Sequence, residues 1–237
     1  MKFIDYIKII VLIGVTGFLF GFANLRNEQR ISDEIDINFT NGNNLFVTEE
    51  VVNKMLIQNK ADLENKVREP LVLNRLEQAL DDHEMIKASD VYLSIDGKLG
   101  AILTQRQPIA RVMDRSAYYI DDEGLVMPLS NYHSARVVTI SGINEKEAKE
   151  SFPLLKRIDE DPFLKKTITH ITKRTHGGYI FSLRTLDMQV AFGALTDLDK
   201  KINNFKAFYK KAQKDDQLNT YALADLQFGN QVVCTKK

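Results

Sequence analysis

The longest apolar run of the chain lies near its N-terminus, where residues 9–23 carry no charged side chain. Together with four apolar residues among positions 3–7, the run has about 20 residues, whose helical rise of ~1.5 Å each matches the roughly 30 Å hydrocarbon core of a bilayer. The pattern therefore predicts a short cytosolic stub and a transmembrane helix within residues 1–24. The predicted membrane-anchoring side chains are Ile9, Ile10, Val11, Leu12, Ile13, Val15, Phe18, Leu19, Phe20 and Phe22.

Two other interpretations of this run stay open. A cleaved signal peptide has a similar charged start and apolar centre, and Gly21-Phe22-Ala23 fits a small-x-small cleavage site. A buried helix of a soluble domain is the second alternative. The bulky Phe18 and Phe20 close to the proposed cut favour the uncleaved anchor, which would export the rest of the chain.

Residues 25–113 show the pattern of a strand, two helices and a hairpin. Alternating apolar residues within 31–39 indicate a half-buried strand. Thr48 is a suitable N-cap for a first helix, and Pro70 suits the first turn of a second one. Alternation at 91–95 and again at 99–103 indicates two antiparallel strands. This β-α-α-β-β order predicts a small sheet with two helices on one face.

The register of the hairpin follows from its apolar rows. A two-residue turn would pair Ile95 with Lys98 and place the two rows on opposite faces of the sheet. A three-residue loop pairs Ile95 with Leu99 and keeps both rows on one face. We therefore expect the longer loop.

Residues 114–237 predict a second domain, an antiparallel β domain with flanking helices, so that the whole chain belongs to the α+β class. Short β-branched or alternating stretches at 118–140 and 168–192 indicate strands. Asn144 and Glu147 have the spacing of a capping box at the start of one helix, and Asp197 precedes the last helix. Residues 221–233 alternate and predict a closing strand.

Composition and charge exclude several functions. Lys plus Arg and Asp plus Glu each number 32, which gives no basic surface for nucleic acid. The single cysteine, Cys234, cannot form an intramolecular disulfide, and the four histidines lack paired metal-ligand spacing. The acidic clusters at 81–84 and 121–123 read as solvated carboxylates. With no phosphate loop, nucleophile elbow or dinucleotide fingerprint, the sequence predicts no enzyme, cofactor or metal site.

A strand at the end of the chain offers a different kind of site. An edge strand presents unpaired N–H and C=O groups that a second chain can complete. The alternative is that the apolar residues of this strand fill the domain core and that neighbouring strands cover it on both sides. The residues concerned are Leu223, Leu226, Phe228 and Val232.

The order and spacing of these features resemble the FtsQ/DivIB family of bacterial cell-division proteins. Residues 83–91, which lead into a strand, and residues 105–110 at its close are similar to the POTRA domain of that family. The turn at 119–124 and the block at 225–233 are similar to the opening and the closing strand of its β domain. The family usually has an aromatic residue where Met85 stands and an acidic one where Gln105 stands.

The resemblance implies a non-catalytic scaffold at the division septum, with a single span in the inner membrane, a cytosolic N-terminus and an extracytoplasmic bulk. It implies FtsB (DivIC)-like and FtsL-like bitopic proteins as partners beside membrane lipid, the peptidoglycan-synthesis machinery nearby, and no small-molecule substrate. The POTRA-like unit would serve recruitment, and the last strand would bind the FtsB-like partner. The residues carried over to that contact are Asp225, Leu226, Gln227, Phe228, Gly229, Asn230, Gln231, Val232 and Val233, with Phe228, Val232 and Val233 as the apolar contacts.

Two other functions stay open. The chain could be another POTRA-bearing envelope protein that handles outer-membrane substrates. It could also be a secreted enzyme released by signal cleavage.

Overall fold

The computed structural model describes residues 2–28, 35–40, 45–61, 70–95, 97–114, 116–175, 177–229 and 231–237. The chain divides into two compact units, residues 1–105 and 106–237. The sequence placed this boundary after residue 113. The strand between the two positions pairs within the second unit, so the structural boundary lies earlier.

The first unit has the predicted order of strand, two helices and hairpin after an N-terminal helix. Its elements are α1 (Lys2–Glu28), β1 (Ile35–Phe39), α2 (Glu49–Ala61), α3 (Pro70–Asp81), β2 (Ile86–Leu93) and β3 (Leu99–Gln105). The strand order is β1-β3-β2, with β1 parallel and β2 antiparallel to the central strand.

The predicted transmembrane helix is wrong. Of the helices that the structure describes, none combines the length and the apolar character needed to cross a bilayer. The prediction counted apolar residues on both sides of Asp5 and Lys8, whereas the uncharged run at 9–23 rises only about 22 Å against a core of ~30 Å. The residues predicted to anchor the chain are all exposed on α1: Ile9, Ile10, Val11, Leu12, Ile13, Val15, Phe18, Leu19, Phe20 and Phe22.

The core of the first unit forms where the two helices cover one face of the sheet. Val52 and Leu56 lie one turn apart on α2, and Leu76 and Leu80 lie one turn apart on α3, which is the spacing of a single helix face. All four are buried against apolar residues of the strands. Those strand residues are Val91, Leu99, Ala101 and Leu103.

The hairpin register differs from the predicted one by two residues. Leu93, and not Ile95, lies opposite Leu99. The turn is longer because Ser94 holds it closed: its N–H donates to the Lys98 carbonyl (2.9 Å) and its Oγ accepts from the Lys98 N–H (2.9 Å). Ile95 lies fully exposed at the tip of the turn. A shift of two residues keeps both apolar rows on the buried face, which is why the pattern alone did not distinguish the two registers.

Gln105 fastens the end of β3 to the segment before α2. Its Oε1 accepts from the Phe46 N–H (3.1 Å), and its Nε2 donates to the Val47 carbonyl (2.9 Å). The side chain is buried, so these bonds satisfy backbone groups that water does not reach.

The second unit contains one nine-stranded sheet. Its elements are β4 (Pro108–Val112), β5 (Tyr118–Asp121), β6 (Val126–Met127), β7 (Val138–Ser141), α4 (Glu145–Glu160), α5 (Pro162–Thr167), β8 (Ile168–Lys173), β9 (Tyr179–Leu183), β10 (Gln189–Gly193), α6 (Leu198–Lys214), a 3-10 turn (Leu218–Thr220), β11 (Tyr221–Asp225) and β12 (Val233–Lys236). The strand order is β12-β11-β10-β9-β8-β7-β4-β5-β6.

The sheet is mixed, so the prediction of an antiparallel domain is wrong. The pairs β4–β7, β7–β8 and β10–β11 are parallel. For β7–β8 and β10–β11 the physical reason lies in the connections: α4 and α5 link β7 to β8, and α6 links β10 to β11. A helix of this length carries the chain back to the end of the sheet where the previous strand began, so the next strand runs parallel.

One apolar row crosses the sheet beneath α4 and α6. Through successive register pairs it joins Ile140, Ile171, Phe181, Val190 and Ala224. All are buried in the same core as Leu154, Leu155, Ile202 and Phe205 of the two helices. Side chains alternate along a strand, so the neighbouring row lies on the opposite face of the sheet. That second row contains Arg111, Thr139, His170, Ser182 and Gln189.

Local signals at α4 agree with the structure. The Asn144 side chain accepts from the Glu147 N–H (3.0 Å), and Glu147 accepts from the Asn144 N–H (2.9 Å), which forms the predicted capping box. Pro153 does not interrupt the helix, which runs on to Glu160.

Replacing Gln105 with Leu is expected to lower the free energy of unfolding of the first unit by about 2 kcal/mol, because two buried backbone groups lose their partners. Urea titration monitored by circular dichroism measures the loss, and amide exchange at Phe46 gives a local readout. Gln58→Leu, the same change at an exposed position of α2, is the control and should cost little. A loss in the Gln105 variant no greater than in this control would contradict the assignment.

Candidate partner-binding edge

The predicted closing strand is two strands joined by a loop. β12 turns back and pairs antiparallel with β11, with Ala224 opposite Cys234 and Asp225 opposite Val233. The turn is held by Asp225, whose Oδ1 accepts from the Gln227 N–H (2.9 Å), and by the Gln231 N–H, which donates to the Phe228 carbonyl (2.9 Å). β11 is therefore covered on both sides, by β10 and by β12.

This arrangement distributes the predicted contact residues over three places. Asp225 ends β11 and Val233 begins β12. Asn230 lies outside the described residues. The loop between the strands contains the other predicted contacts, Leu226, Gln227, Phe228, Gly229, Gln231 and Val232.

The apolar side chains of this segment take different environments. Leu226 is buried in the core, and Val232 is half-buried against it. Phe228 is 51% exposed and Val233 is 41% exposed. The core-filling alternative thus holds for Leu226, whereas two of the three predicted apolar contacts face solvent. Their role in partner binding stays a prediction.

β12 is the outermost strand of the sheet, and within the described part of the chain it pairs with β11 alone. The Lys237 N–H donates to the carbonyl of Thr220, the residue directly before β11 (2.9 Å). The backbone N–H of Lys237 therefore faces β11. Backbone direction alternates along a strand, so Thr235 and Val233 also point inward. Cys234 and Lys236 therefore direct their N–H and C=O groups toward the open side.

A groove of about 250 Å³ lies between the C-terminal half of α6 and this edge. Its lining residues are Phe208, Lys211, Ala212, Asp215, Gln217, Tyr221, Val232 and Cys234. The Phe208 and Tyr221 rings lie 5.7 Å apart and form an aromatic wall. Burial raises the pKa of the Cys234 thiol, which keeps it protonated and makes it an apolar part of the lining.

The edge strand β2 of the first unit is closed in a different way. The Val91 N–H donates to Oε1 of Glu77 on α3 (2.9 Å), and the Ser89 hydroxyl donates to the Glu77 carbonyl (3.1 Å). The Val91 bond occupies a backbone group that a further strand would need. In the second unit, the edge opposite β12 is β6, with only two residues. Of the two edges of the nine-stranded sheet, β12 is therefore the longer, with four residues.

Two lysines of α6, Lys201 and Lys206, have polar partners on other elements of the second unit. Lys201 is 8% exposed, its Nζ donates to the Ala194 carbonyl (2.7 Å), and it lies 5.3 Å from the centre of the Phe192 ring. Burial lowers the pKa of this ammonium group. Lys206 forms an ion pair with Asp161, the N-cap of α5. These two lysines fasten α6 to the rest of the unit.

The sequence predicted solvated carboxylates in the acidic turn at 121–123, and this prediction is wrong for Asp121. Asp121 is buried, accepts from the N–H groups of Glu123 (3.0 Å) and Leu125 (2.8 Å), and pairs with Arg106 (2.8 Å). The carboxylate shapes the turn between β5 and β6. Among the described residues no group of His, Cys, Asp and Glu side chains could hold a metal ion.

His170 is part of a polar group that sequence reasoning missed, because its members lie about thirty positions apart and meet only across β7 and β8. Its Nδ1 lies 2.7 Å from Thr139 Oγ1, and its Nε2 lies 3.0 Å from Ser141 Oγ. The Thr139 hydroxyl donates its proton to the Thr169 carbonyl (3.1 Å). We assign the tautomer from this network: with the Thr139 proton on the Thr169 carbonyl, Nδ1 carries the ring proton and donates to Thr139, and Nε2 accepts the Ser141 proton.

A mixed sheet with an open terminal strand leaves backbone groups to which a further strand could be added. The family model described as FtsQ/DivIB, C-terminal related, matches residues 107–235, from the start of β4 into β12. The chain belongs to this family, which confirms the resemblance drawn from the sequence and supports a role in cell division and an association with the division site. No curated protein matches the chain.

The second unit is expected to lose stability as the pH falls below about 6.5. Burial lowers the pKa of His170, so the unfolded chain binds a proton at pH values where the folded chain does not. Urea titrations at pH 7.5 and 5.0 measure the loss. It should be smaller in His170→Gln, and an equal loss in both proteins would contradict the assignment.

Proposed function

We propose that this protein is a non-catalytic scaffold of the division site that captures another polypeptide by adding a strand to β12. The observation that carries the proposal is the outward direction of the Cys234 and Lys236 backbone groups beside a groove with an aromatic wall. An incoming strand would complete those N–H and C=O groups and extend the sheet from nine strands to ten.

The groove supplies a contact for side chains of the incoming strand. Alternate residues of an added strand lie on the α6 face of the sheet, beside Cys234 and Val232. A residue there lies against the wall formed by the Phe208 and Tyr221 rings, which favours a large apolar side chain. The other residues of the incoming strand lie on the opposite face of the sheet, where Val233 is exposed.

The partners that fit this mode in an FtsQ/DivIB family member are FtsB (DivIC)-like and FtsL-like division proteins. The scaffold would hold them near the septal peptidoglycan-synthesis machinery. The POTRA-like first unit would contribute recruitment through a separate contact. Family membership and the open edge of β12 support this assignment together.

Replacing Cys234 with Pro is expected to abolish capture of an FtsB-like partner, because it removes an outward N–H donor and leaves the inward bonds of Val233 and Thr235 in place. Co-expression followed by affinity purification and titration measures binding. The control is Cys234→Ala, which keeps the donor and should bind normally. Circular dichroism melting curves establish that both variants are folded. Normal binding by the folded Cys234→Pro protein would contradict strand addition at β12.

Replacing Phe228 with Ala is expected to weaken partner binding about tenfold, near 1–2 kcal/mol, as truncation of an exposed aromatic anchor does at the centre of an interface. Leu125→Ala is the matched control, because Leu125 is a comparably exposed apolar residue at the opposite edge of the sheet. Isothermal titration with the same partner gives both values. Equal affinities in the two variants would remove Phe228 from the contact.

A further inference from the structure

A hydroxyl–imidazole–hydroxyl group lies on the sheet face opposite α4 and α6. It consists of Ser141, His170 and Thr139 on the adjacent parallel strands β7 and β8. The strand order places it four strands away from β12, so it is independent of the partner-binding edge. Ser141 and His170 are half-buried, which leaves the serine hydroxyl accessible while limiting the water around it.

The hydrogen bonds around His170 determine which of its ring nitrogens can accept a proton. In the assigned tautomer the Thr139 hydroxyl donates to the Thr169 carbonyl and accepts from Nδ1 of His170. The free lone pair of the neutral ring therefore lies at Nε2 and faces the Ser141 hydroxyl at 3.0 Å. An imidazole that accepts a serine proton while a third group fixes its other nitrogen is the arrangement that activates serine nucleophiles.

We propose that Ser141 is a nucleophilic serine and a covalent modification site for activated acyl or phosphonyl electrophiles. Ser141 Oγ attacks the electrophilic carbon or phosphorus atom and forms a new O–C or O–P bond. The leaving group departs with the electron pair of the bond that breaks. The Ser141 proton passes to Nε2 of His170 and from there to the departing anion or to water, which returns the ring to its neutral form.

The group is suited to a single modification and not to rapid turnover. In serine hydrolases a carboxylate stands behind the histidine and stabilises the imidazolium ion that forms during the reaction. Here the neutral Thr139 hydroxyl holds that position, so the imidazolium is less stabilised. The Ser141 ester should therefore persist long enough to be isolated.

A fluorophosphonate probe tests the proposal on the full-length chain. Fluoride is its leaving group, and intact-mass and peptide mass spectrometry count and locate the label. We expect one label on Ser141 and none on Ser182, the half-buried serine that lies opposite His170 on the next strand. Label spread over several serines, or Ser182 labelled as fast as Ser141, would overturn the proposal.

Variants distinguish activation of Ser141 by His170 from simple exposure of the Ser141 hydroxyl. His170→Gln keeps a polar side chain but lacks the base, and labelling should slow at least tenfold, within the usual contribution of a general base. Thr139→Val keeps the β-branched shape and removes the Nδ1 partner, so it should slow labelling as well. Circular dichroism confirms folding before each measurement. Unchanged rates in both folded variants would overturn the proposal.

The pH dependence gives a readout that accessibility alone does not produce. The reactive form needs neutral His170, so the labelling rate should rise with pH and level off above a midpoint lower than that of a free histidine. Arg111 is the charged residue that shares the row of the sheet with Thr139 and His170. A rate that shows no midpoint between pH 4.5 and 7.5 would overturn the proposal.

Discussion

The register of the nine-stranded sheet is the constraint on which the second unit depends. Ile140, Ile171, Phe181, Val190 and Ala224 form one buried row only if every strand keeps its pairing. A slip of one residue in any strand would turn its apolar residues away from α4 and α6 and bury the polar row in their place. The two helical crossovers make such slips costly, since each packs its apolar face on several strands at once.

This constraint also explains why a binding edge can exist at the end of the chain. The helices cover the strands inward from β11, and the core is complete once Ala224 and Leu226 are buried. β12 adds four residues beyond that core, and Val233 on it remains exposed. A strand that contributes little to the core can leave its outer backbone groups for another chain without lowering the stability of the domain.

Several buried polar groups connect elements that apolar packing alone would leave loosely joined. Gln105 joins β3 to the segment before α2, Asp121 shapes the turn after β5, and Lys201 fastens α6 to the end of β10. Each side chain is buried and bonded to backbone groups. The sequence alone does not reveal these roles, because the hydrogen-bond partners of a polar residue are known only once the fold brings other segments to it.

The sequence by itself determined the elements with strong local signals: the β-α-α-β-β order, the capping box at Asn144, and the apolar faces of the helices. These follow from residues within a few positions of one another. Family membership was equally readable, since it depends on the order and spacing of short blocks. The same local reasoning overcounted the N-terminal apolar run, because it added residues across Asp5 and Lys8.

Only the tertiary structure decided how the strands pair. In the second unit it made three strand pairs parallel, folded the predicted closing strand into β11 and β12, and left β12 at the edge with the groove beside it. It also brought Ser141 and His170 together from positions far apart in the chain. Pairing is a choice among distant segments with similar apolar patterns, and the packing of α4 and α6 over the whole sheet settles it.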